Sequence, residues 1–228
     1  MTTSSWPPSW CDRSLAVLVS GGLDSSVLLG EAVRHFRKVH PIVIRAGSVW
    51  ESEEHQHLKQ FIAAIECPPL QPLVELSIPV ADLYGEHWSL SGRNVPDEHS
   101  EDAAVFLPGR NVVLLSKSLI WCHLNGVPEI ATAPLKGNPF ADATPEFYAS
   151  FAKVVNMAFG GCVEILRPYA DLSKGEVVGR GREMPLEYTF SCIRPIEKRH
   201  CGRCNKCAER QQAFRGAEVL DPTLYATD

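Results

Sequence analysis

Leu15-Ala16-Val17-Leu18-Val19-Ser20-Gly21-Gly22-Leu23-Asp24-Ser25-Ser26-Val27-Leu28-Leu29 decides how this chain is read. An apolar run of strand length stops at Ser20. Two glycines follow, and Asp24 with two hydroxyls opens a second apolar run at helical spacing. That order spells strand, tight turn, helix. Glycine lets the backbone take positive φ and come close to a ligand. Bare amides and hydroxyls then collect at a helix N-terminus, where free donors and the helix dipole favour an anion. The stretch is built to hold phosphate; the plainer alternative is a glycine turn with a serine cap. It is not the Walker A pattern, because no Gly-Lys-Ser/Thr closes it.

Outward from this stretch, apolar runs at 39–46, 73–78, 129–133 and 163–167 read as further strands. Helical spacing continues from the opening stretch to about Phe36, and recurs over 50–65 and 112–124. Thr144 and Pro145 open another helix as N-cap and first residue, running to about Phe159. Ser173 caps a helix over 173–182, and a last helix starts near Asn205. Strands alternating with helices imply an α/β fold, a doubly wound, mostly parallel five-stranded sheet covered on both faces. Its ligand site belongs at the carboxyl ends of the strands. Residues 80–108 show weak periodicity and many Pro, Gly, His and acidic residues. They read equally as a lid or substrate loop and as disorder. The expected organisation is an irregular segment over 1–13, a nucleotide-binding domain over 14–190 and a metal-binding tail over 191–228.

The chain has 228 residues and a formal net charge of -5, which argues against a dedicated nucleic-acid surface. No run approaches the roughly 18 apolar residues of a membrane span, and the N-terminus lacks a basic, then apolar leader pattern. The expected location is the cytoplasm, with no membrane partner.

Four of the 8 cysteines, Cys192, Cys201, Cys204 and Cys207, have the spacing C-x8-C-x2-C-x2-C. Crowding of this kind reads as a metal site in a reducing compartment. Four thiolates fill a tetrahedral zinc shell with no open position, the mark of a structural Zn2+. An iron–sulfur cluster is the alternative. Lys198, Arg199, Arg203 and Lys206 offset the charge of such a site, and His200 stands in reserve as a ligand. Cys11, Cys67, Cys122 and Cys162 read as small buried apolar residues. His55 and His57 read as solvent-exposed on a polar helix face.

Ser20-Gly21-Gly22-Leu23-Asp24-Ser25-Ser26 resembles the SGGxDS signature of the PP-loop ATP pyrophosphatases. With the C-terminal Cys201-Gly202-Arg203-Cys204 cluster, the resemblance narrows to the 7-cyano-7-deazaguanine synthase branch and covers nearly the whole chain. Pro108-Gly109-Arg110-Asn111, Pro145-Glu146-Phe147, Pro168–Glu176 and Thr189-Phe190-Ser191-Cys192 are similar to landmarks of that branch. Two stretches depart from it: Ser48–His55 and Pro134–Asp142, both where substrate is expected.

The resemblance implies an ATP- and Mg2+-dependent ligase. It turns a 7-carboxy-7-deazaguanine-like acid and ammonia into the nitrile through an acyl adenylate and an amide. It places nucleotide on Leu18, Val19, Ser20, Gly21, Gly22, Leu23, Asp24, Ser25, Ser26, Val27 and Leu28. Gly21, Gly22, Ser25 and Ser26 would face the pyrophosphate; Asp24 would orient the loop or hold Mg2+. Arg110 is the candidate anion clamp, and Lys136 the candidate charge at the end of the fourth strand. Lys174 is a second such lysine. The ordinary reading of Lys136, Asp142 and Lys174 is solvated surface charge. Relatives imply a homodimer. The length leaves no room for a glutaminase, so free ammonia is the expected nitrogen source. The competing readings are a PP-loop enzyme that modifies tRNA, an amide ligase on another acid, and a zinc module that only binds nucleotide.

Overall fold

The computed structural model describes Trp6 and residues 12–226. Strand β1 (Ser14–Leu18) is buried along nearly its whole length, and its alternate residues serve two different cores. Leu15 and Val17 belong to one apolar cluster, Ala16 and Leu18 to the other. A period of two therefore sends successive side chains to opposite, helix-covered faces.

From β1 the chain runs through α1 (Leu23–Ala32), β2 (Lys38–Arg45), α2 (Glu51–Ala64) and β3 (Val74–Ser77). Two single-turn helices, α3 (Ala81–Tyr84) and α4 (Trp88–Ser91), precede α5 (Arg110–Leu124). Then come β4 (Glu129–Ala131), α6 (Pro145–Phe159), β5 (Glu164–Leu166), α7 (Lys174–Arg180) and α8 (Asn205–Gly216). The five strands lie in the order β3-β2-β1-β4-β5 and every pair is parallel. The winding reverses between β1 and β4, so their carboxyl ends diverge and open a crevice. Among the described residues no helix is long and apolar enough to cross a membrane.

Local chemistry explains the boundaries. Thr144 Oγ1 accepts the Phe147 amide at 3.1 Å and Pro145 occupies the first helical position of α6. Ser173 and Glu176 form a reciprocal capping box at α7. Helix α1 is shorter than its apolar run: it ends at Ala32, and Phe36 folds back into the core instead.

The segment 80–108 is ordered, which removes the reading as disorder. Its backbone is stitched to two regions. Val49 N–H donates to Ser89 O at 2.9 Å, and Asn205 N–H donates to Pro96 O at 3.0 Å. Asn205 Nδ2 donates to Ser100 O at 2.9 Å. Hydrophobic periodicity is weak here because the segment is held by backbone bonds to distant loops, a pattern invisible to local reading.

Candidate active site

Gly21 fixes the shape of the bend between β1 and α1. Its φ is +100°, and a Cβ there would run into the Glu54 carbonyl oxygen of α2. Only glycine meets both conditions. Ser20 Oγ accepts the Gly22 amide at 3.0 Å. Ser25 Oγ accepts the Ser20 amide at 3.2 Å and donates to Gly22 O at 3.2 Å. These bonds close the bend on itself. Gly22 caps α1 without a side-chain bond. The Leu23, Asp24 and Ser25 amides are therefore left with no acceptor among the described residues. Three convergent donors at a positive helix end suit an anion.

A charged chain flanks this bend. Lys174 Nζ lies 3.0 Å from Asp24 Oδ2 and 3.0 Å from Glu209 Oε1, and Lys206 Nζ lies 2.7 Å from Glu209 Oε2. Burial pushes the Lys174 ammonium down, but Asp24 and Glu209 outweigh it and raise it overall. Burial pushes Glu209 up; Lys174 and Lys206 override it and hold the carboxyl at about 2. Two carboxylates and two ammoniums balance one another. The other oxygen of Asp24, Oδ1, is buried with no partner among the described residues. It fits a divalent cation or a ligand donor.

Two adjoining cavities share Ser20, Gly22, Asp24, Trp50, Glu54 and Arg110 as walls. The first, about 300 Å³, runs under the carboxyl ends of β1 and β2 past Arg45, Ala46 and Tyr84. The second, about 450 Å³, runs toward Lys136, Lys174, Phe190 and Lys206. Each is within the usual range for a small-molecule site. Trp50 and Trp88 stack at 5.6 Å and 20°, and Phe106 and Phe140 stack at 5.0 Å and 25°. Trp50, Trp88 and Phe140 give the second cavity flat apolar walls. Arg110 starts α5 beside Asn111, whose amide donates to Asp142 Oδ2 at 2.9 Å.

Glu54 stands where the cavities meet. Ser20 and Trp50 side chains hydrogen-bond its carboxylate. Burial lifts it to about 7, against the opposing pull of Arg110.

Cys192, Cys201, Cys204 and Cys207 lie behind the bend, all buried, with their sulfurs within 4.8 Å of one another. Cys201 and Cys207 sulfurs are 3.9 Å apart, as are those of Cys192 and Cys204. Four sulfurs at about 2.3 Å from one tetrahedral ion would stand about 3.8 Å apart, so the set fits Zn2+. The Arg194 and Cys201 amides each reach Cys192 Sγ at 3.3 Å, further partners for a thiolate. Two residues before Cys192, Phe190 N–H donates to Gly21 O at 2.8 Å. The metal loop and the phosphate bend thus share a hydrogen bond.

The structure gathers Leu18, Val19, Ser20, Gly22, Leu23, Asp24 and Ser25 around the crevice, together with Arg110. It does not bring Gly21, Ser26, Val27 or Leu28 to either cavity. The Ser26 hydroxyl is fully buried, because the first turn of α1 points it into the protein. Lys136 lies exposed on the rim, while Lys174 is the lysine that reaches Asp24. Lys174 and Asp142 are therefore not solvated surface charges: one is locked between carboxylates, the other is buried against Asn111.

The histidines also differ from expectation. His55 is paired with Glu75 at 3.1 Å, its side chain 12% exposed. His57 packs on the Phe190 ring at 5.0 Å. Cys122 is buried as read, Cys67 is half-buried, Cys162 is exposed, and Cys11 lies outside the described residues. Sequence reasoning missed Glu54 as a site residue. It sits in the first turn of α2 among Glu51 and Glu53, where acids commonly answer the helix dipole. Only the close approach of α2 to Gly21 singles it out.

Sheet order, glycine bend and crevice define a PP-loop nucleotide-binding α/β protein. The fold is shared with a 4-thiouridine synthetase solved in complex with RNA and bound ATP. The match has TM-score 0.50 and 16% identity, and covers 90% of this chain and 50% of that one. A family model described as queuosine biosynthesis protein QueC matches residues 14–218. This chain belongs to that family. Curated relatives agree over nearly full length. The 7-cyano-7-deazaguanine synthase of Stenotrophomonas maltophilia is 30% identical over 227 residues, 94% of this chain and 100% of that protein. That of Rhizobium johnstonii is 31% identical over 226 residues, 92% and 90% of the two chains.

Proposed function

We propose that the chain is an ATP-dependent ligase that converts 7-carboxy-7-deazaguanine and ammonia into 7-cyano-7-deazaguanine, a queuosine precursor. In this reading the first cavity takes the nucleoside of ATP and the second takes the acid. The acid's carboxylate attacks the α-phosphorus, and the bond to pyrophosphate breaks. The departing charge is met by the Leu23, Asp24 and Ser25 amides, already oriented before reaction. Lys174 holds Asp24 in place, and Arg110 faces the junction as a cationic clamp. Asp24 Oδ1 would hold a Mg2+ ion, which would offset the charge of the phosphates. Ammonia then displaces AMP to give the amide. A second ATP activates the amide oxygen, and its loss as AMP leaves the nitrile.

Trp88, which lines the second cavity alone, and Trp50 and Phe140, which line both, support planar heteroaromatic ligands over aliphatic ones. Zinc in the four-cysteine site has no open position and serves structure alone. The observation that carries the reading is the unpartnered donor array of the bend opening onto both cavities.

The test is pyrophosphate release from ATP with ammonium and 7-carboxy-7-deazaguanine, run beside other heteroaromatic acids. Release that depends on the deazaguanine acid supports the reading. Release only with tRNA, or with none of the acids, contradicts it.

A further inference from the structure

Two acids line both cavities, Asp24 and Glu54, and of these only Glu54 has no ion-pair partner among the described residues. Resting on the function proposed above, we propose that Glu54 is the proton acceptor for the amination step. Ammonia's nitrogen lone pair forms the bond to the acyl carbon, and the carbonyl electrons move onto oxygen. When the carbonyl re-forms, the C–O bond to AMP breaks and AMP leaves. The nitrogen, now positively charged, gives one proton to the Glu54 carboxylate. The products are the amide, AMP and a protonated Glu54. The same carboxylate is placed to take the protons shed when the activated amide becomes a nitrile.

Elimination among the neighbouring acids supports this. Asp24 is bound by Lys174 at 3.0 Å. Glu209 is bound by Lys174 and by Lys206. Glu51 is consumed by Arg45 at 3.0 Å and by the Gly47 amide at 2.7 Å. Asp142 accepts the Asn111 amide at the start of α5. Asp102 lies exposed on the wall of the second cavity, which Glu54 shares, but it does not line the first. Glu54 lines both cavities and is held by two neutral donors, the Ser20 hydroxyl and the Trp50 indole N–H.

The bend also touches the carboxylate. Ser20 Oγ accepts the Gly22 amide, lies 3.4 Å from Ser25 Oγ and hydrogen-bonds Glu54. The charges that face it are Arg110 from α5 and Glu51 from its own helix. Asp24, Lys174 and Lys206 stand further along the shared walls. With its carboxyl at about 7, Glu54 is balanced between accepting and returning a proton near neutral pH, the condition under which general bases work best.

Two half-reactions separate the possibilities. Acid-dependent exchange of pyrophosphate into ATP, without ammonium, reports adenylation alone. Amide formation with ammonium reports the whole step. Glu54→Gln is expected to keep exchange within about threefold of wild type while lowering the amide rate by about 10²-fold or more. With rates expressed per free ammonia, the wild-type profile should fall as pH drops through about 7. That limb should be missing from Glu54→Gln and present in Glu54→Asp.

Amide formation by Glu54→Gln near the wild-type rate overturns the proposal. So does loss of exchange that added Mg2+ restores, because it would make Glu54 a metal ligand. Should Glu54→Gln fail to fold, Glu54→Asp decides: an unchanged limb with a reduced amide rate supports the assignment, and an unchanged amide rate overturns it. Absence of exchange in the wild type would instead strike the function proposed above, and the proton-acceptor role falls with it.

Discussion

The two ends of the crevice are built from different material. At the phosphate end, three backbone amides, a self-bonded glycine bend and the Asp24–Lys174–Glu209–Lys206 chain leave little to side-chain choice. At the other end the walls are Trp88, with Trp50 and Phe140 shared between the two cavities, and the loops that carry them. Backbone donors serve any nucleoside triphosphate, since every such ligand presents the same phosphates. On the function proposed above, aromatic walls and loop residues would select the acid. In that reading the chemistry of activation is set by the fold, and substrate identity by the loops around it.

The largest effect that would break this contrast comes from behind the bend. Cys204→Ser removes one of four thiolates whose metal-binding energy is also folding energy. Zinc content near one per chain should drop toward zero and the melting temperature should fall by about 10 °C or more. Because Phe190 ties the metal loop to Gly21, ATP binding should weaken with it. Stoichiometric zinc with unchanged melting would contradict the metal assignment.

Next in size is Lys174→Met. It strands the Asp24 carboxylate and leaves Glu209 to Lys206 alone, and breaking such a pair costs about 3–5 kcal/mol. Differential scanning calorimetry should show that loss, and pyrophosphate exchange should fall below detection. Full exchange would show the phosphate end to be independent of the charged chain.

The smallest change sharpens the contrast at the other end. Trp88→Ala removes the member of the Trp50–Trp88 stack that lines only the second cavity. A loss of about 1–1.5 kcal/mol raises the KM for the acid about tenfold. The KM for ATP should be untouched. Equal rises in both would mean that the two cavities do not divide the ligands.

The same division governs how much of the molecule was legible. Alternation along β1, the Gly21–Ser25 bend, the Thr144 and Ser173 caps and the cysteine spacing are short-range patterns, and they read correctly from the chain. What escaped depends on long-range approach. Lys174 meets Asp24 across 150 positions, so nothing local marks it as the partner. Glu54 is distinguished from Glu51 and Glu53 by the packing of α2 against Gly21. His57 looks exposed on a polar helix until Phe190 covers it. The order of 80–108 comes from backbone bonds to the metal loop, for which a sequence carries no periodic signal.

The central claim is that the phosphates of ATP dock on the donors at the start of α1. A crystal of the protein with a non-hydrolysable ATP analogue tests it most directly. Phosphate oxygens within about 3 Å of the Leu23, Asp24 and Ser25 amides, with the nucleoside under the ends of β1 and β2, are the predicted result. A triphosphate bound elsewhere while the bend stays empty would contradict the account.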